Sequence, residues 1–549
     1  MKSSLRLRSL KLSDREARPA RAFRRFLAKT LSKRETLLQS SACPPPFPPG
    51  QTIMQRFFLL SLCILSLAAA PVACCRAGDP DPVNPQTVNP ETVLAAMVRA
   101  VKAFKEQAGF RGGYVYEVSL DGSSRRGEGD ATATEIWVQP PGTPEVADAF
   151  LDAYRASPRP EFLEAATAAA IALLHGQLES GGWADRVDFD PAGKNTGRYR
   201  DGRGKAKGRN YSTLDDDKTQ SALRFLIRLD QQLRGADAKL HEAVQYALQR
   251  LLTAQFANGG FPQGWEKPVA AVPLVKATFA AGDWRTAERR KNYWDYPTLN
   301  DGLAGTVVQT LQLAYESTGD AQYRQAQLRF GDFLIRAQLP EPQPAWAQQY
   351  SHELQPIWAR KFEPPAAAGA ESQDVIRTLL TLTELTGERR FLEPVPAALN
   401  WLKRVRLPDG QLARFHELQT NRPIYFVRNT YEPTYDDSRV PTHYSFKGSC
   451  QAEQLEADYR LIAAGEQLPV KQRSLKTLKK DAAEILARLD PDGRWVTDEN
   501  GKPVLNPDKG DRSKFLLESR VFSRNLRRLA EYVRAAAAEP GAQSDKSEK

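Results

Sequence analysis

Apolar side chains recur three and four apart along most of this chain, and the breaks in that pattern fall at regular intervals. Val93, Met97, Val98, Val101 and Phe104 form the first such stripe, so an amphipathic helix opens the folded region. From Gly113 the period shortens to two. Gly-Tyr-Val-Tyr-Glu-Val-Ser-Leu, a Gly/Ser/Arg turn and Thr-Glu-Ile-Trp-Val-Gln predict a small, peripheral β-hairpin. One theme then repeats: an Ala/Leu-rich helix, a glutamine near its end and a Gly-aromatic turn. Copies end at Trp183, Phe261 and Trp346, with a fainter one at Gly410. Their spacing of roughly 80 residues allows an inner and an outer helix with long loops. Paired, repeating helices close naturally into a ring. The predicted fold is therefore all-α, an α/α toroid (an incomplete α/α barrel), with function in the turns at one end of the inner helices. Helical patterns from Leu475 to Leu489 and Ser519 to Ala537 pack on that ring or cap it.

Composition changes this picture little, whereas the placement of charge changes it more. The 549 residues are 41% hydrophobic and 26% charged, the balance of a water-soluble globular protein. The formal net charge is +11, but twelve basic and three acidic residues precede Met54, which leaves only +2 for the rest. Bulk charge is thus no argument for a nucleic-acid partner, and recognition of an acidic ligand has to rest on local Arg and Lys placement. Residues 1–53 read as a non-native or extended leader, and 54–78 as a signal peptide with one positive charge, a short apolar run and small residues beyond it. The run is too short for stable membrane insertion. A Pro/Asp/Asn-rich linker at 79–91, a toroid domain at 92–537 and a disordered tail at 538–549 complete the expected organisation. The protein is expected to be secreted or periplasmic and monomeric, with lipid anchoring through Cys74 or Cys75 as the lesser alternative. Cys450 stands alone beyond the leader, which excludes a disulfide framework or a cysteine zinc site.

Four segments carry candidate chemistry. Leu214-Asp215-Asp216-Asp217-Lys218-Thr219 clusters carboxylates that suit a hard cation, although helix N-capping would use the same residues. Asn258 to Trp265, with Tyr296 to Gly302, sets aromatic faces beside Asn300 and Asp301, as a sugar site does and as plain turn chemistry also does. Trp346, Trp358, Arg360, Lys361, Glu363 and Glu371 alternate aromatic, cation and carboxylate over a short stretch. Arg414, His416, Glu417, Arg422 and Arg428 follow. Arginine binds carboxylates bidentately, so several near one cleft fit a uronate, with local ion pairs as the bland alternative.

From about His175 to Tyr444 the chain resembles polysaccharide lyase family ten, the pectate lyases. Asp215 to Thr219 is similar to that family's Asp-containing loop, Asn300 and Asp301 to its Asn-Asp loop, and Ala359, Arg360 and Glu363 to its Ala-Arg-x-x-Glu segment. The resemblance implies a toroid binding polygalacturonate or pectin across its cleft, and a calcium ion held by Asp215 and Asp217. It also implies Arg360 as the base that removes the C5 proton; by side-chain chemistry alone Lys361 could substitute, with the histidines 352, 443 and 416 last. Asn300, Asp301, Trp265, Trp346, Trp358, Glu363, Arg414, Arg422 and Arg428 are the expected substrate contacts. Asp216 and Lys218 depart from the family's loop, and Ala-Gly-Ala-Glu-Ser stands where Ser-Gly-Ser-Glu-Ser is usual. Two other classes remain open. A glycoside hydrolase would use carboxyls among Asp217, Asp301, Glu363 and Glu371; a uronide-binding protein would leave the polymer intact.

Overall fold

The computed structural model describes residues 88–539. The leader, signal peptide, Cys74 and Cys75, residues 79–87 of the linker and the tail from 540 lie outside the described residues. Twelve α-helices occur among the described residues: α1 (Pro90–Gln107), α2 (Thr143–Ala156), α3 (Pro160–Gly176), α4 (Lys218–Gln232), α5 (Ala238–Thr253), α6 (Leu303–Thr318), α7 (Ala321–Ala337), α8 (Gly369–Thr386), α9 (Val395–Arg404), α10 (Ala452–Ala463), α11 (Leu475–Leu486) and α12 (Ser519–Ala537). The start of α1 is set by a capping box. Asn89 accepts from the Thr92 amide, Thr92 Oγ1 accepts from the Asn89 amide, and Pro90 occupies the first turn.

Helices α12, α2, α4, α6 and α8 pack in series, each on the next, and four of them carry the helix that follows in sequence: α3 on α2, α5 on α4, α7 on α6, α9 on α8. The repeated glutamine is the staple of this arrangement. Gln177 Nε2 donates to Gly181 O of its own turn and to Ala243 O in α5 at 3.1 and 3.0 Å. Gln255 does the same to Gly259 O and to Ala326 O in α7 at 2.9 and 2.8 Å. Gln338 reaches Pro344 O and Pro394 O, just before α9, at 3.2 and 2.9 Å. Each amide thus satisfies a turn carbonyl that would otherwise be buried unpaired and ties it to a carbonyl of the next outer helix or its cap. The turn aromatics fill the space beneath. The indoles of Trp183 and Trp346 donate to Leu173 O and Leu334 O at 2.8 and 2.7 Å, and both rings are fully buried.

The sheets are small, and the expected hairpin is placed differently. Glu117–Ser119 pairs with Arg125–Arg126, but its other edge takes Phe515–Glu518, which in turn pairs with Val496–Asp498. The hairpin is therefore not peripheral: it fastens the start of the described chain to its end, beside a stack of Phe104 on Phe522 with ring centroids 4.0 Å apart. The Ile136 segment joins no hairpin with it and pairs instead with Arg186–Asp188. Strand partners this remote leave no local mark, because a strand's period reports one buried face and not the neighbour on its edge. A second four-stranded sheet, Ala366–Ala368, Phe415–Glu417, Pro423–Phe426 and Pro433–Thr434 in spatial order from the α8 end, carries the arginine-rich fourth segment.

The starts of α4, α6 and α8 lie together. The turn Asp215–Asp217 touches the turn Asn300–Gly302, and the latter touches α8.

Candidate active site

Two turns of the same build open this site. Tyr211-Ser-Thr-Leu-Asp-Asp-Asp217 and Tyr296-Pro-Thr-Leu-Asn-Asp-Gly302 lie one repeat apart. In each, the threonine hydroxyl accepts from the amide two residues on: Asp215 N to Thr213 Oγ1 at 3.1 Å, Asn300 N to Thr298 Oγ1 at 3.2 Å. The following leucine is buried, and a single 3-10 turn leads into the helix. The backbone then turns left-handed twice in each: Asp216 and Asp217 at φ 47° and 62°, Asp301 and Gly302 at φ 49° and 71°. A non-glycine residue held there costs about 1–3 kcal/mol, a strain that persists only where the surroundings over-determine it. Its effect is to bring the two acidic turns face to face.

Ligand oxygens of Asp215, Asp216 and Asp301 all lie within 4.8 Å of one another. Asp217 is not part of this group. The left-handed twist sends its carboxylate along α4, where both oxygens take Arg224, at 2.9 and 2.5 Å. The carboxylates that converge with Asp215 are thus those of Asp216 and Asp301, and not that of Asp217. Asp215 accepts from Gln263 Nε2 at 2.5 Å and Lys218 Nζ at 2.7 Å, and Asp216 from Gln139 Nε2 at 3.2 Å. Burial, with Asp215 adding to it, pushes the Asp216 carboxyl above the usual range. Burial also raises Asp301, and the charges of Asp216 and Asp215 outweigh enough of Arg414 to bring it to about 6. Two buried oxygens without a partner stand beside the cluster: Asn300 Oδ1 on the second turn, and Oε1 of Gln263, whose Nε2 donates to Asp215. A concentration of oxygen donors with surplus negative charge fits a hard divalent cation.

Two guanidinium groups complete the arrangement. Arg414 reaches Glu371 at 2.8 Å and Asp301 at 3.2 Å, and Arg360 pairs with Glu363 at 2.5 Å. Both lie over the ring of Tyr444, 4.6 Å from its centroid for Arg414 and 5.5 Å for Arg360. Burial works against the charge on each, but the carboxylates more than offset it: Glu363 holds Arg360, and Glu371 with Asp301 holds Arg414, well above the ordinary arginine value. Glu371, only 2% exposed, is raised by burial against the pull of Arg414. Glu363 is itself buried and accepts from Gln348 at 2.7 Å and Tyr444 at 3.2 Å.

The remaining expected contacts divide. Asn300 sits at the cluster. Trp265 and Trp346 are core residues: Trp265 donates its indole N–H to Ser180 O at 2.9 Å, and neither ring has a free face for a sugar. Trp358 is buried too, stacked on Trp284 with centroids 5.6 Å apart. Lys361 is exposed, with Nζ 3.5 Å from the centroid of Tyr431. Arg422 lies on Tyr435, and Arg428 donates to Val440 O at 3.0 Å, both exposed. His416 is buried and His352 stacks on Tyr296. Asp216, Lys218, Gln263 and Tyr444 were missed as site residues. The paired Thr-Leu-x-Asp turns are the signal that would have found Asp216, while nothing local points to Gln263 or Tyr444.

Residues 177–424 match the protein-family model described as pectic acid lyase. Among solved structures, the family 10 polysaccharide lyase from Cellvibrio cellulosa aligns at a TM-score of 0.40 and 20% identity, covering 58% of this chain and 96% of that one. A mutant of that lyase in complex with trigalaturonic acid aligns at 0.41 and 19%, covering 59% and 98%. A cellobiose 2-epimerase from Spirochaeta thermophila aligns at 0.40 and 13%, covering 83% and 99%. No curated protein matches the chain. The chain is a polysaccharide lyase. Its segment 177–424, which holds both acidic turns, Arg360, Glu371 and Arg414, is a pectic acid lyase domain.

Proposed function

We propose that this enzyme cleaves polygalacturonate by calcium-assisted β-elimination, leaving 4,5-unsaturated oligogalacturonates. The observation that carries the reading is the triad Asp215, Asp216 and Asp301, with oxygens within 4.8 Å of one another, set against Arg414 and Arg360 inside the pectic acid lyase segment. In this reading α12, α2, α4, α6 and α8 form the inner wall of an α/α toroid, and the protein works as a secreted or periplasmic monomer. Among the described residues no helix is long and apolar enough to cross a membrane.

The three aspartates would hold the cation, which when bound would stabilise the negative charge that develops on the uronate carboxylate as the C5 proton leaves. The protein's own groups do the rest. Arg414, fixed by Glu371, holds Asp301 in place. Arg360 is the assigned base: it takes the C5 proton, the C4–O bond breaks as the 4,5-double bond forms, and the leaving oxygen takes a proton from solvent. In the free enzyme its pair with Glu363 keeps the guanidinium cationic. To act as base it must exchange that pair and shed a proton.

The test is ultraviolet absorbance of the unsaturated product from polygalacturonate, with calcium and with a chelator. Absorbance that rises only with calcium is expected. Arg360→Ala should lower kcat by roughly 10²–10⁴-fold, while Lys361→Ala stays within a few-fold. Shortened chains without an unsaturated end would overturn elimination in favour of hydrolysis, and binding without cleavage would overturn the enzymatic reading of this substrate.

A further inference from the structure

A second concentration of charge lies outside the pectic acid lyase segment. A groove of ≈ 490 Å³ runs along the exposed side of α12, lined by Arg473, Arg520, Arg524, Arg527, Arg528 and two glutamates. Three of these arginines are neutralised: Arg473 by Asp481 and Glu531, Arg527 by Glu145, Asp148 and Asp152, Arg528 by Asp481. Arg520 and Arg524 are different. Both are exposed, they stand one helical turn apart on the same face, and among the described residues neither has an ion pair. Like charges at that spacing repel, and Arg520 in the first turn opposes the helix dipole, so an anion bound between the two would relieve an unfavourable arrangement.

The groove lies on the same series of helices as the acidic turns. α12 packs on α2 and α2 on α4, whose first residue follows the Asp215–Asp217 turn. Tyr116 lies within electrostatic reach of both Asp216 and Arg520, and Glu145 within reach of both Arg520 and Asp217. A linear polyanion seated at the acidic turns can therefore run on past Tyr116 into the groove. We propose that Arg520 and Arg524 form a distal subsite for carboxylates of the same uronate chain, held by guanidinium–carboxylate pairs. This rests on the polygalacturonate reading above and adds that long chains are held at two places.

The experiment compares the full-length protein with Arg520→Gln/Arg524→Gln and with Arg520→Lys/Arg524→Lys. Direct binding to long polygalacturonate and to trigalacturonate is measured over a salt series, and cleavage of both is followed in parallel. The glutamine variant should bind the polymer roughly tenfold more weakly and with a shallower salt dependence, its affinity for the trimer unchanged and its melting temperature no lower. The lysine variant should recover most of the polymer affinity. Equal polymer binding by the wild type and the glutamine variant overturns the subsite whether or not the enzyme cleaves. A polymer-specific loss of binding in a protein that fails to cleave polygalacturonate keeps the subsite and overturns only the assigned reaction.

Discussion

At the scale of single residues, what separates the converging aspartates from the one locked in an ion pair is the backbone twist. Asp215, Asp216 and Asp217 are chemically identical neighbours, yet two face the other acidic turn and the third is locked on Arg224. Asp301→Asn should therefore cost at least about a hundredfold in rate and shift the calcium dependence to higher concentration. Asp217→Asn should act mainly on stability, a contrast that product absorbance and a thermal melt would separate. His416 offers a pH test away from the cluster. Burial brings it from 6.5 to about 4, so it is neutral when folded and protonated when unfolded between those values. The unfolded state then binds the extra proton, and stability present above pH 6.5 is lost as pH falls towards 4, by about 3 kcal/mol. His416→Phe should flatten the denaturation midpoint across that window, and an unchanged slope would show that other groups dominate it.

At the scale of elements, the glutamine and the aromatic of each repeat are a joint between helices. Gln255 serves Gly259 O and Ala326 O and accepts from Arg329 at 2.7 Å. Gln255→Ala should lose about 1–3 kcal/mol in denaturant unfolding, because the buried Gly259 O is left without a donor and the link to Ala326 O is lost. Trp346→Ala should cost about 3–5 kcal/mol through the cavity and the lost bond to Leu334 O. A sugar-stacking role for Trp346 would instead change substrate affinity with little effect on unfolding.

At the scale of the whole molecule, the parts outside the pectic acid lyase segment extend the series of helices. α12 covers both α1 and α2, and Phe515–Glu518 supplies the central edge of the hairpin sheet. A chain ending before Ser519 should fail to fold cooperatively, seen as aggregation or loss of a sharp melt. A truncated protein with an intact melt and unchanged polymer binding would refute both this dependence and the groove on α12.

By itself the sequence determined the helix-rich architecture, the repeat with its glutamine and aromatic, the two helices at Leu475 and Ser519, and the acidic turns that lead into α4 and α6. Each of these is written in local periodicity or in short motifs, where neighbours in sequence are neighbours in space. Tertiary structure alone decided which aspartates converge, that Trp265 and Trp346 are core, and that the hairpin pairs with the far end of the chain. It also decided that Arg520 and Arg524 share a groove near the site. These depend on backbone handedness at single residues and on contacts between segments hundreds of positions apart, and neither leaves a period in the chain.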